Sequence, residues 1–434
     1  MHFKRLDEYF KQASVDQPTK IAMQMPTQQK YRITGFYKET QFQETHIGKI
    51  PKEWMVDRFN NLFSYVKGKK PKSLFENPCE GCLPYLTTDY LRSGNLSQFA
   101  KVEKGTIAVK ENDVLLLWDG SNAGEFFQGK IGILASTMVK IEPKVENLLN
   151  VFAYYYMKYK FEPILKSSTK GTGIPHVDST VLDSLIFPIP PLEEQWGIAE
   201  VLSSVDQAIE ATERLVKKLE EIKRGLMREL LTKGIGHKEY QNTEIGKIPK
   251  EWQVVKLGTL FSFKNGERPR VVKENGPIPI YGAGFIQGYT DDYMIDKNNV
   301  IIVARVGKGS AGKVYIASGK MWISDNAIYA VPKTNSAYPI FYYYLLQFLR
   351  LDKVAVRSAA GGYSLITQSS LSNLHVPFPP YEEQKEIGDI LLSIDNWINV
   401  EEKRKSALES LKRGLMELLL TGRVRVRVEK VPSG

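Results

Sequence analysis

The chain has 434 residues, of which 42% are hydrophobic and 25% charged, a balance that excludes a disordered chain and allows two to four folded domains. Lys and Arg outnumber Asp and Glu by 59 to 49, and the formal net charge of +10 suits a polyanionic partner such as nucleic acid. No run of about 18 apolar residues occurs, which argues against a membrane-spanning helix. With no basic-then-apolar leader at the start, a cytoplasmic protein is expected.

Taken in order, residues 1–43 have no counterpart later in the chain. Met1 to Phe10 has the pattern of a short helix, and the polar stretch from Gln17 to Gln29, with Pro18 and Pro26, reads as a linker. Then Thr45-His46-Ile47-Gly48-Lys49-Ile50-Pro51-Lys52-Glu53-Trp54 returns as Thr243-Glu244-Ile245-Gly246-Lys247-Ile248-Pro249-Lys250-Glu251-Trp252, with nine of ten positions identical.

Each of these motifs opens a region of mixed pattern. In the first, Asp113 to Trp118 and Lys130 to Leu134 predict strands and Val151 to Lys160 a helix. In the second, Asn299 to Val306, Lys313 to Ala317 and Ala327 to Val331 predict strands and Pro339 to Leu351 the matching helix. Cys79 and Cys82 form a lone Cys-Glu-Gly-Cys step, and His2, His46, His176, His237 and His375 lack ligand spacing. No metal is expected, and the step reads as a loop with two free thiols.

Gly307 to Lys313 resembles a phosphate-binding loop. Val314 stands where a magnesium-binding Ser or Thr belongs, and the following pattern is a strand, so the segment reads as a hairpin. Phe378-Pro379-Pro380-Tyr381 resembles the Asn-Pro-Pro-Tyr step of amino-methyltransferases, but Phe378 and its counterpart Ile189 cannot accept hydrogen bonds from a base amine. No catalytic constellation is assigned.

Pro190 to Thr232 and Pro379 to Thr421 agree at 21 of 43 positions without a gap. Both open on Pro-Pro-x-Glu-Glu-Gln and carry Lys-Arg-Gly-Leu-Met near the end. The apolar period predicts two long helices of roughly 60 Å, entered through Pro-Pro and two carboxylates and left at Gly234 and Gly422. Each needs a partner for its stripe. Ile198, Leu202, Val205, Ile209, Leu219 and Leu226 are expected to pair with Ile387, Leu391, Ile394, Ile398, Leu408 and Leu415 as an antiparallel coiled coil. Leu411 also falls on the apolar period, and the stripe weakens at Thr212 and Glu401, where loosened or wet pairing is expected.

The chain is therefore a tandem duplication, with an α+β class: two globular mixed α/β domains separated by two long helices, related by an internal pseudo-twofold. The ends of the repeats agree and the middles differ, the second middle being nine residues shorter. Candidate DNA-contacting residues lie in the loops of the middles. In the first these are Lys67, Lys69, Lys70, Lys72, Thr87, Thr88, Ser121, Asn122, Lys170 and Thr172. In the second they are Lys264, Asn265, Arg268, Arg270, Arg305, Lys308, Lys313 and Arg357. Lys and Arg neutralise phosphates, while Arg, Asn, Ser and Thr also read base edges.

These motifs, over about residues 45 to 422, resemble the specificity subunit of type I restriction-modification systems. The resemblance implies target recognition domains at 44–189 and 237–378, helical regions at 190–236 and 379–425, an N-terminal extension at 1–43 and a tail at 426–434. It implies a non-catalytic subunit in which each domain reads half of a split double-stranded DNA target. Two modification subunits, which bind S-adenosylmethionine, would dock on it, followed by restriction subunits using ATP and magnesium; this chain itself would bind no cofactor. Two other readings remain: a self-contained DNA methyltransferase or nuclease with unfamiliar motifs, and a coiled-coil scaffold without a DNA role.

Overall fold

The computed structural model describes residues 30–169, 175–307, 309–351, 356–357 and 364–431. The helix expected at Met1 to Phe10 and the linker at 17–29 lie outside them. Two compact units are present: Met1–Gln207 with Glu409–Gly434, and Ala208–Leu408. Each unit thus takes one end of both long helices.

In the first unit, strands Phe126–Gln128, Val114–Leu117, Met138–Pro143 and Phe63–Lys67 form an antiparallel sheet in that order. One of its two interior strands, Val114–Leu117, is apolar at every position for a geometric reason. Val114 and Leu116 face one core and Leu115 and Leu117 the other, so both faces of the strand are buried. The second core lies under a five-stranded sheet that includes Cys82–Leu86 paired parallel with Gly132–Leu134.

The predicted tyrosine-rich helix runs Asn150–Tyr156, passes through a π-turn at Met157–Phe161 and resumes as Glu162–Ser167. Cys79 and Cys82 depart from expectation. A tight turn, with Cys82 N–H donating to Cys79 O at 3.0 Å, brings their Cα atoms to 5.2 Å, within disulfide range, and the sulfurs are joined.

The N-terminal extension gains a partner: Lys30–Lys38 pairs antiparallel with Val424–Val431. Both strands belong to the first unit, and Gly197 leaves the space that Val426 and Val428 occupy.

In the second unit, six strands lie in the order Phe261–Asn265, Ala327–Pro332, Ile295–Ala304, Val314–Ile323, Ile278–Gly282 and Phe285–Thr290. Ile301 and Val303 face the core that contains helix Pro339–Phe348, while Val300 and Ile302 face a smaller one. The glycine-rich segment after Ala304 connects two antiparallel strands, as the hairpin reading required.

The long helices span Leu192–Lys233 and Tyr381–Leu420. Gln195 N–H donates to Pro191 O and Gln384 N–H to Pro380 O, both at 3.0 Å, so the Pro-Pro steps are entrances. Gly234 and Gly422 close the exits at φ +65° and +70°.

In the first unit Ile198 and Leu202, near the start of the first helix, share a core with Met416, Leu419 and Leu420 at the end of the second. In the second unit Leu219 packs with Ile394 and Ile398, and Met227 and Leu231 share a core with Ile387 and Leu391. Within each unit the helices therefore run antiparallel. Val205, Ile209, Leu226, Leu408 and Leu415 are half-buried. Leu411, in contrast, is 51% exposed, because the inward position is taken by Lys412, which reaches Asp206 at 2.6 Å. Thr212 and Glu401 are buried; Thr212 donates to Ala208 O at 2.8 Å, and Glu401 Oε2 lacks a hydrogen bond.

The repeated motifs meet one another. Trp54 Nε1–H donates to Glu194 Oε2 at 3.0 Å, and Trp252 Nε1–H to Glu383 Oε2 at 2.9 Å. Gln195 accepts from Leu149 N–H at 3.0 Å and donates to the Asn147 and Pro190 carbonyls at 2.8 and 2.9 Å. Gln384 repeats this with Tyr338, Ser336 and Pro379 at 2.9, 3.1 and 2.8 Å. Each Glu-Gln pair thus clamps its globular region onto a helix entrance, beyond any effect on the helix dipole.

Candidate nucleic-acid interface

In the first unit the candidate loops are brought together by backbone hydrogen bonds. Gly68 N–H donates to Met138 O at 2.9 Å, and a side chain at Gly68 would collide with the Ala135 carbonyl, so the Lys67-Gly68-Lys69-Lys70 segment lies flat on the turn 135–137. Trp118 and Asp119 N–H groups donate to Thr137 O at 2.8 and 3.1 Å, and Gly120 N–H donates to Pro175 O at 2.9 Å. The turn carrying Ser121 and Asn122, both exposed, therefore joins the same rim.

Thr87 follows the strand that runs beside Gly132–Leu134, which sets it next to the 135–137 turn. Its hydroxyl caps helix Thr88–Ser93 by accepting from Tyr90 N–H at 3.2 Å. Thr88 opens that helix, half-buried.

Not every candidate cation is free at this rim. Lys67 Nζ lies 2.7 Å from Asp119 Oδ2. Lys69, Lys70 and Lys72 are exposed, but Lys72 is drawn toward another turn through its N–H, which donates to Glu103 at 2.9 Å. Lys170 and Thr172 lie outside the described residues.

The second unit builds an equivalent rim from different chemistry. Gly266 N–H donates to Ala327 O at 3.0 Å and Glu267 N–H to Ile323 O at 2.8 Å, and the Ser324 carbonyl again leaves no room for a side chain at Gly266. Trp322 Nε1–H donates to Glu267 O at 2.7 Å. Lys264, Asn265, Arg268 and Arg270 are exposed around this turn. Arg305 is half-buried there: its N–H donates to Asn326 O at 2.8 Å, its carbonyl accepts from Ile366 N–H at 2.9 Å, and its guanidinium reaches Asp325 O at 3.5 Å. Lys313 is exposed at the end of the adjoining hairpin. Arg357 lies in a two-stranded ribbon with Ser364–Leu365, its side chain outside the described part, and Lys308 is likewise outside.

Sequence reasoning missed Ser136, Thr137, Asp325 and Asn326, which occupy the centre of each rim. Their signal was faint: in both copies a short polar step separates two apolar strands, Leu134 from Met138 and Ile323 from Ala327. The two rims share backbone geometry, but the first presents Lys69, Lys70, Ser121 and Asn122 as exposed candidates, and the second Lys264, Asn265, Arg268 and Arg270. Such sets hold phosphates and read base edges differently.

Among the described residues, no helix is long and apolar enough to cross a membrane. The family model of the type I restriction modification DNA specificity domain matches twice, at residues 51–221 and 249–410. The chain is 38% identical to the type I restriction enzyme MjaVIII specificity subunit of Methanocaldococcus jannaschii, over 91% of this chain and 98% of that one. It is 28% identical to the putative MjaX specificity subunit of the same organism, over 91% and 99%. The fold resembles the crystal structure of the type I restriction-modification S subunit from M. genitalium, with a TM-score of 0.65 and 20% identity, covering 84% of this chain and 96% of that one. With its doubled domain, paired helices and two loop rims, the chain belongs to the DNA specificity subunits of type I restriction-modification systems.

Proposed function

We propose that this chain reads a bipartite, asymmetric double-stranded DNA target, one half by residues 44–189 and the other by 237–378. The helical regions 190–236 and 379–425 set the spacer and dock two modification subunits, to which restriction subunits then bind. The chain acts as the non-catalytic, cytoplasmic recognition part of the complex and holds no cofactor. S-adenosylmethionine, ATP and magnesium belong to its partners.

The observation that carries this reading is the pair of rims: the same hydrogen-bonded frame closes over Gly68 and over Gly266, yet the side chains presented differ. Equivalent frames with unlike residues suit two half-sites of unlike sequence. The test is to replace residues 55–187 with the corresponding region of a relative and map methylated sites in cells carrying the modification subunit. One half-site changes and the other stays. Change in both halves, or in neither, would overturn the reading.

A further inference from the structure

In the second unit, the hairpin joining Ile278–Gly282 to Phe285–Thr290 carries an aromatic residue where its backbone favours glycine. Ala283 and Gly284 make the turn, and Phe285 follows at φ +77°, with a register shift between Ile280 and Tyr281. Hairpins of this kind place a left-handed residue after the turn, usually glycine, and a bulky residue there is uncommon.

The ring is not there to fill a core. Phe285 is 39% exposed and its neighbour Ile286 41%. It is nevertheless held in place: its centroid lies 5.2 Å from that of Tyr281 and 5.1 Å from that of Tyr315. Tyr315 Oη–H also donates to Ala283 O at 3.2 Å, which pins the turn.

This tip is continuous with the rim of the second unit. Tyr281 O accepts from Ser324 N–H at 2.8 Å, and Ser324 is the residue whose carbonyl closes over Gly266, beside exposed Arg268 and Arg270. A buttressed apolar face, on a unit whose rim also carries exposed cations, suits a base edge flanked by phosphates. In the major groove the apolar group that distinguishes one base is the 5-methyl of thymine.

We infer that Phe285, backed by Tyr281 and Tyr315, reads a thymine methyl group in the half-site recognised by the second unit. The first unit builds its corresponding place differently. There Cys82–Leu86, which pairs parallel with Gly132–Leu134 as Ile278–Gly282 pairs with Val314–Ile323, runs into the helix capped by Thr87. The thymine contact therefore belongs to one half-site. The inference rests on the DNA reading above and deepens it.

The experiment uses the full chain assembled with its modification subunits and duplexes of the mapped target. The half-site of the second unit is the one left unchanged by the 55–187 replacement. Each thymine in it is replaced in turn by deoxyuridine, which removes only the methyl group. One replacement is expected to weaken binding roughly fourfold, the effect of losing one buried methyl contact, and the others not at all. Phe285→Asn, which tolerates the left-handed backbone, and Phe285→Gly should bind the thymine and deoxyuridine duplexes equally.

The inference is overturned if that half-site contains no thymine, if no replacement weakens the unaltered complex, or if Phe285→Asn keeps the preference. The deoxyuridine series on the unaltered chain decides the question even where a variant fails to fold. A complex that binds no split site at all overturns the DNA reading itself, an outcome distinct from binding without methyl preference.

Discussion

Lys412 Nζ lies 2.6 Å from Asp206 Oδ1, and Lys223 repeats the pair with Asp395 Oδ1 at 2.6 Å. In each unit the carboxylate also accepts from a tyrosine of the globular region, Tyr155 Oη–H at 2.8 Å and Tyr344 Oη–H at 2.7 Å. The ammonium groups sit 5.6 and 5.4 Å from the centroids of the same rings. The lysine that opens Lys-Arg-Gly-Leu-Met thus ties two long helices and one domain helix together.

Lys412→Ala should therefore loosen the first unit alone. The side chains are about a quarter exposed, which limits the loss to about 1–2 kcal/mol. Hydrogen exchange should speed up along Asn150–Tyr156 and leave Pro339–Phe348 unchanged, and Lys223→Ala should give the reverse.

The same tyrosines predict behaviour in alkali. Burial, and then the Asp206 charge, raise the Tyr155 hydroxyl above its usual 10.0, and burial with the Asp395 hydrogen bond does so for Tyr344. A folded pKa above the unfolded one means that the stabilisation is complete below pH 10 and is lost as pH rises beyond it. Tyrosinate absorbance should lag in the native protein and appear with unfolding, and the Tyr155→Phe, Tyr344→Phe double variant should show a smaller lag.

Gln195 and Gln384 are fully buried, and each satisfies three backbone groups. Alanine at either position strands those groups and should cost about 3 kcal/mol, measured as a fall in the urea midpoint. Glu in place of Gln should be no better, because two of the three bonds need the amide as donor.

The two Glu-Trp pairs are completed differently. Arg425, 4% exposed, reaches Glu194 through two nitrogens, at 2.5 and 2.7 Å, and also meets Glu39 at 2.5 Å and Glu53 at 2.9 Å. Glu383 instead meets His237 Nε2 at 2.8 Å and the Ile235 N–H at 2.9 Å. Arg425→Ala leaves buried carboxylates without a cation and should cost about 3–5 kcal/mol; Arg425→Lys loses the forked geometry and should rescue only part. His237→Ala should cost less, since a backbone donor remains.

The Glu39 carboxyl is held below its usual 4.5 by the Gln41 N–H, against burial and with help from Arg425. Its stabilisation is therefore present above pH 4.5 and fades as pH falls through the lowered value. Acid titration followed by hydrogen exchange should release the Lys30–Lys38 ribbon ahead of the second unit.

A four-residue insertion in one long helix adds about 6 Å and should lengthen the permitted DNA spacer by one or two base pairs, at about 3.4 Å each, without altering either half-site. Methylation that persists with an unchanged spacer would sink the ruler role of the helices.

The sequence by itself determined the duplication, both long helices with their Pro-Pro entrances and glycine exits, and the apolar stretches Val114–Leu117 and Val300–Ala304 of two strands, though not the polar start of the second at Ile295–Asn299. Those features are written in short windows, as period and cap chemistry, and comparison within the chain doubles the signal. Tertiary structure alone decided what the repeated motifs are for. Trp54 finds Glu194, Lys412 finds Asp206, and Lys30–Lys38 finds Val424–Val431 across 140, 206 and nearly 400 residues, distances over which local pattern carries no information about partners. It also decided which polar loops meet. Ser136 and Asn326 join the rims because sheet register delivers them there, Lys67 is met by Asp119, and the exposed ring of Phe285 follows from a backbone angle that its residue type would not have suggested.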